Sequence, residues 1–139
     1  MIGRIIQIIG SIIDVEFKKN YIPKIYNSLL IIKNKMILEV QQQIDLNIVR
    51  TIALGDTNGL ERNYLVIDTK NTILTPVGDC TLGRILNVLG YPIDNLGEIK
   101  SNLYKPIHKL PPKFSEQKFD NVILETGIKV IDLLCPFLK

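Results

Sequence analysis

MILEVQQQIDLNIVRTIALGDTNG (Met36–Gly59) is the stretch that decides how the chain folds. Ile37, Glu39 and Gln41 alternate with Met36, Leu38 and Val40. That period of two predicts a half-buried strand over Met36–Gln42. Asn47–Leu54 (NIVRTIAL) is a second strand, rich in β-branched residues. Gly55-Asp56 closes it, and Asn58-Gly59 is a strong tight-turn signal.

The same texture extends in both directions. Gly3–Ile9 and Ser11–Phe17 alternate imperfectly around Gly10, a bulge or kink, and Lys18-Lys19-Asn20 ends the pair in a polar turn. Pro23 starts a loop into a strand at Leu29–Ile32, and Lys33-Asn34-Lys35 turns back. Tyr64–Asp68 and Ile73–Pro76 complete the series. Six or seven short strands spaced by ~8–12 residues predict a small antiparallel barrel or sandwich. A closed barrel from Met1 to about Pro76 is preferred, because closure removes the adhesive edges of so apolar a set.

Beyond it lies TLGRILNVLGYPIDNLGEI (Thr81–Ile99), with Gly83, Gly90 and Gly97 every seven residues. Leu82, Ile85, Leu86 and Leu89 have helical spacing, but the gap between Gly83 and Gly90 is too short for a helix of ~10–12 residues. The expectation is a turn at Thr81–Gly83, a short strand at Arg84–Asn87 and two tight turns. Asp94-Asn95-Leu96-Gly97 suits type I. Pro106, Pro111 and Pro112, among several lysines, then predict extended surface backbone. Ile128, Ile131 and Leu134 recur in steps of three between Gly127 and Pro136, which predicts one short helix over Ile128–Leu134.

The chain of 139 residues has the length of about one domain, ~100–200 residues. Its 46% hydrophobic and 22% charged residues exclude intrinsic disorder as its character. The net charge of +3 is spread along the chain, with few and scattered aromatics, so no nucleic-acid partner is expected. No run approaches ~20 apolar residues, so no direct membrane insertion is expected. The opening MIGRIIQIIGSIIDVEF carries charges and no small-residue cleavage site, so synthesis in the compartment of action is expected. Cys80 and Cys135 lack metal-ligand spacing and read as reduced apolar residues.

A phosphate-binding P-loop needs two glycines five apart, followed by Lys and then Ser or Thr. Gly78-Asp79-Cys80-Thr81-Leu82-Gly83 has the glycines, but Arg84-Ile85 follows and Asp79 puts negative charge where phosphate would sit. Asp14, Glu16, Glu39, Arg50, Glu61 and Arg62 read as solvated or paired. His108, in a proline-rich loop, has no partner motif. The chain is therefore assigned no catalytic, cofactor-binding or metal-binding residue.

Taken in order, several segments resemble one family. They are GRIIQIIGSIIDVEF (Gly3–Phe17), LEVQQ (Leu38–Gln42), VRTIAL (Val49–Leu54), Thr57-Asn58-Gly59-Leu60 with Arg62, DTKNTILTPVG (Asp68–Gly78), TLGRILNVLGYPID (Thr81–Asp94) and TGIKVIDLLCP (Thr126–Pro136). The chain resembles the N-terminal portion of the catalytic beta subunit of F-type, proton-translocating ATP synthase. TGIKVIDLL is nearer to that subunit than to the non-catalytic alpha subunit. Two positions depart from the family pattern: Tyr91, where glutamate is common, and Cys135, where alanine is common.

The resemblance implies a mainly β fold: a six-stranded antiparallel barrel over 1–76, then the incomplete start of an α/β P-loop nucleotide-binding domain over 77–139. It implies alpha subunits as partners in an alternating alpha3-beta3 ring, with a central stalk subunit. ATP, ADP and phosphate would be substrates of the complete subunit, and Mg-ATP/ADP its bound nucleotide. The implied location is peripheral to the bacterial inner membrane on the cytoplasmic side, or an organellar inner membrane on the matrix or stroma side. The P-loop would lie beyond Lys139, so the stretch alone is expected to be inactive, as a fragment, a split gene product or a degenerate copy. The alternative is a non-catalytic assembly module or vestigial copy that binds no nucleotide. Either way Ile85, Leu86, Ile128, Ile131 and Leu134 would lack the sheet they should pack on and stand exposed.

Overall fold

The computed structural model describes residues 1–18, 21–117 and 122–138. It has two compact units, 1–109 and 110–139. The first is built on strands β1 (Ile2–Ile9), β2 (Ile12–Phe17), β3 (Asn27–Ile31), β4 (Ile37–Gln43), β5 (Ile48–Ala53) and β6 (Leu65–Thr72). All their pairings are antiparallel, and the order β1-β2-β5-β4-β3-β6 closes on itself through β1 and β6. The expected barrel is thus present, with strand limits shifted by one to four residues. The largest shift is at β6, which runs four residues past Asp68 to Thr72.

Alternation decides what the barrel encloses. Ile5, Ile13, Val15, Leu29, Ile31, Leu38, Val40, Val49 and Val66 are fully buried, with Phe17 and Ala53 nearly so. The core is aliphatic because the chain has no tryptophan and only four phenylalanines. Thr51 lies fully buried among these residues, and its hydroxyl donates to the Ile13 carbonyl oxygen at 2.7 Å, which satisfies it. Gly3 is required at its position: a Cβ there would lie 2.8 Å from the Glu16 carbonyl oxygen and 2.9 Å from the Phe17 ring. Register shifts interrupt β1 against β2 after Ile5, β4 against β5 after Val40, and β3 against β6 after Asn27. Such bulges supply the local bending that closure demands.

The outer wall carries a second layer of polar pairs. Asp14 and Arg50 face one another across β2 and β5, joined by two bonds of 2.9 Å. Asp68 is buried, yet it accepts from the Tyr21 hydroxyl, the Asn27 amide and the Lys70 backbone N–H. Asp68 keeps the Tyr21 phenol protonated, with its pKa pushed up to about 12 by the hydrogen bond, by burial and by the carboxylate charge. These are the paired charges expected from the sequence, with Asp68 added.

β7 (Leu74–Pro76) lies outside the barrel sheet and pairs with β8 (Tyr104–Pro106). The extended backbone expected after Gly97 is therefore partly a sheet strand. In the second unit, β9 (Ile123–Leu124) pairs with β10 (Phe137–Leu138), and α1 spans Lys129–Leu134. Ile128, expected to be helical, is its N-cap, with φ −93° and ψ 103°. Asp132 holds the start of this helix: its carboxylate accepts from the Thr126 hydroxyl at 2.6 Å and from the Thr126 and Gly127 N–H groups at 3.0 Å. Those donors hold its pKa below the usual carboxylate value.

Candidate functional site

The glycine-punctuated stretch folds around one ion pair. Arg84 Nε donates to Asp94 Oδ2 at 2.6 Å and Nη2 to Oδ1 at 3.0 Å, the bidentate fork that suits a guanidinium. The same Nη2 reaches the Gly97 carbonyl oxygen at 2.6 Å. Asp94 also accepts from the Ile85 and Leu96 N–H groups, and with Arg84 these donors hold its carboxyl far below the usual range. Between the two charges lies a miniature hairpin. Leu86 bridges Pro92, and the Asn87 side-chain oxygen accepts from the Leu89 and Tyr91 N–H groups at 3.0 and 2.8 Å. The turn at position 91 is thus built from Asn87 and the backbone; the tyrosine side chain takes no part in these bonds.

Two of the three expectations for this stretch need correcting. The strand at Arg84–Asn87 is a single bridge, because the hairpin turns back after a few residues. The turn expected at Thr81–Gly83 is present, closed by the Arg84 N–H to the Thr81 carbonyl oxygen at 3.2 Å with Gly83 at φ 71°, and a 3-10 turn at Asp79–Thr81 leads into it. Asp94–Gly97 is not type I: Asn95 takes φ 59°, a left-handed conformation that asparagine tolerates, so that the Asp94 carboxylate can bond the Leu96 N–H.

The P-loop-like glycines do not form a phosphate cradle. The Thr81 N–H and hydroxyl both donate to the Gly78 carbonyl oxygen, at 3.0 and 2.7 Å, and the Leu82 N–H donates to Asp79 O at 3.2 Å. Donors that would hold phosphate are consumed within the turn, Asp79 stands beside them, and the neighbouring guanidinium is committed to Asp94. These residues do not fit Mg-ATP or Mg-ADP. Among the described residues no group of three or more His, Cys, Asp or Glu could hold a metal ion, and no helix is long and apolar enough to cross a membrane.

This stretch offers surface. Leu82, Val88 and Leu96 are about seven-tenths exposed, and Ile85, Tyr91 and Ile93 are exposed as well. In the second unit Ile128, Val130, Leu133 and Leu134 are exposed in the same way. Leu86 and Ile131, expected to be exposed with them, are partly buried, Leu86 within the miniature hairpin.

His108 is where the sequence reading missed a contact. Its Nε2 lies 2.6 Å from Glu39 Oε1 on β4, and its ring stacks on Tyr26 at 4.1 Å between centroids with an interplanar angle of 19°. Gln41 Nε2 donates to the other Glu39 oxygen at 2.6 Å. The only hint in the sequence was Glu39, an acid inside a strand that proves 92% buried, since just 8% of it is exposed.

The class defined by this architecture is a small closed antiparallel barrel followed by an apolar loop clasped by the Arg84–Asp94 ion pair. Residues 5–70 match the family described as ATP synthase alpha/beta family, beta-barrel domain. The match runs from Ile5 on β1 to Lys70 on β6, so this part of the chain is similar to that barrel domain.

Proposed function

We propose that this chain is the front portion of the catalytic beta subunit of the F-type ATP synthase, which makes ATP from ADP and phosphate coupled to proton transport. The observation that carries the reading is a closed barrel, similar to the alpha/beta family's barrel domain, in the same chain as TLGRILNVLGYPID and TGIKVIDLL, whose residues resemble the beta subunit. In this reading the barrel joins an alternating alpha3-beta3 ring around a central stalk subunit. Residues from Val77 begin the nucleotide-binding domain, whose Mg-ATP/ADP site is formed by residues outside this stretch. The complex would sit on the face of a bacterial inner membrane, or of an organellar one. The role of the residues present is assembly; phosphoryl chemistry of this kind depends on phosphate-positioning groups that they do not supply. The exposed apolar side chains at 82–96 and 128–134 support it, because patches of this kind mark surfaces meant to be covered.

Co-expression with the alpha subunit and, separately, with the full-length beta subunit of the same source tests this. Native mass spectrometry is expected to show the chain bound to alpha subunits and not to beta. A folded chain that ignores alpha, or prefers beta, would remove the reading. Titration of the chain alone with Mg-ATP is expected to give no micromolar binding. Binding at that level would show a nucleotide site within these 139 residues.

A further inference from the structure

We propose that His108, Glu39 and Tyr26 form a pH-sensitive latch that holds the strand following the loop, β8 and its continuation to Lys109, on the outer wall of the barrel. Three observations support it. Glu39 is an acid 92% buried on β4 whose two oxygens are taken up by His108 at 2.6 Å and Gln41 at 2.6 Å. The imidazole lies flat on Tyr26, which is held at φ 68° just before β3, so ring and carboxylate grip His108 from two different elements. Finally, the contact joins residues 69 apart at the last-but-one position of the unit that contains the barrel.

The charge on the imidazole sets the strength of the grip. As a cation, His108 makes a charge-assisted bond to the Glu39 carboxylate and a cation–π contact with Tyr26. As a neutral ring it keeps the Nε2–H hydrogen bond to the carboxylate but loses the ion pair and the cation–π contact. The groups facing Glu39 are uncharged, with Gln41 beside it on β4, Ser28 opposite it on β3 and Ile52 opposite it on β5, while Lys109 follows His108 in the chain. Histidine is the side chain that ordinarily changes charge between about pH 5 and 8. The latch is therefore tighter while the imidazole carries its charge and looser once that charge is lost.

Opening would free the short ladder in which the Ile107 N–H donates to Ile73 O at 3.1 Å and the Val77 N–H to Leu103 O at 3.0 Å. These two amides report the latch, while those of Val15, Val40 and Val49 report the barrel. Amide-exchange protection factors measured by NMR on the whole chain are expected to fall about tenfold or more at Ile107 and Val77 as pH is raised from about 5 to 8. The barrel amides should stay constant. His108→Ala should show the low protection at every pH. Glu39→Gln, which keeps an acceptor without the charge, should abolish the pH dependence. Protection at Ile107 that is independent of pH in the wild-type chain would overturn the proposal. So would a fall shared equally by the barrel amides, since that would mean loss of the fold and not opening of a latch.

Discussion

The barrel and the residues that follow it draw on the same aliphatic side chains and reach opposite outcomes. Ile5, Ile13, Leu38 and Val49 are wholly buried, whereas Leu82, Val88 and Leu133 are about two-thirds to three-quarters exposed. The difference lies in closure. Six strands of alternating pattern return to their own first strand and shut their apolar faces away from water, so each buried side chain gains roughly 1.5–3 kcal/mol. The later segments are clasped by polar bonds, Arg84 to Asp94 and Thr126 to Asp132, which fix backbone without enclosing a core. Apolar sequence therefore measures what a segment wants to bury; topology decides whether it can do so within its own chain.

Substitutions should separate the two regions by size of effect. Leu38→Ala removes a fully buried side chain from the barrel and should cost about 2–5 kcal/mol in urea unfolding. Gly3→Ala forces a methyl against the Glu16 carbonyl and the Phe17 ring and should cost about 1–3 kcal/mol, read from the same transition. Thr51→Val strips the Ile13 carbonyl of its hydroxyl partner and should cost about 1 kcal/mol. Leu133→Ala, at an exposed helix position, should change stability by less than about 0.5 kcal/mol. A Leu133 effect as large as that of Leu38 would erase the contrast.

Acid and alkali should also act on different regions. Asp94 has a depressed pKa when folded, so its contribution is present above its ordinary value of 3.8 and is lost as pH falls towards the folded value. The 84–97 clasp should open in acid, seen as loss of the Arg84 Nε–H signal in NMR. Tyr21 has the opposite sign. Its raised pKa means that the hydrogen bond to Asp68 is complete below its ordinary value of 10.0 and fails as pH rises towards about 12. Ultraviolet titration of phenolate should show one tyrosine ionising late, and Tyr21→Phe should remove it.

The strands were legible because their signal is local: period two in Met36–Gln42 and tight-turn residues such as Asn58-Gly59 can be read in any short window. Neighbour order was not. β2 pairs with β5 and β1 with β6, and nothing within either strand names a partner so distant. The same limit explains His108, whose carboxylate lies 69 residues away, and β8, whose partner is β7 across the glycine loop. The Asp94 turn failed for a subtler reason. Its residue types suit type I, but a carboxylate shared between Arg84 and two backbone N–H groups favours another geometry. The glycine spacing at 78–83 could be dismissed from sequence by its missing lysine, and the bonded turn found there gives the geometric reason.

Amide hydrogen exchange over the whole chain tests most directly the claim that a self-contained barrel is followed by segments that enclose no core of their own. Amides of Val15, Val40, Val49 and Val66 are expected to exchange only through global unfolding, while those of Val130 and Leu133 exchange orders of magnitude faster. Protection of Val130 and Leu133 equal to that of the barrel strands would contradict the account.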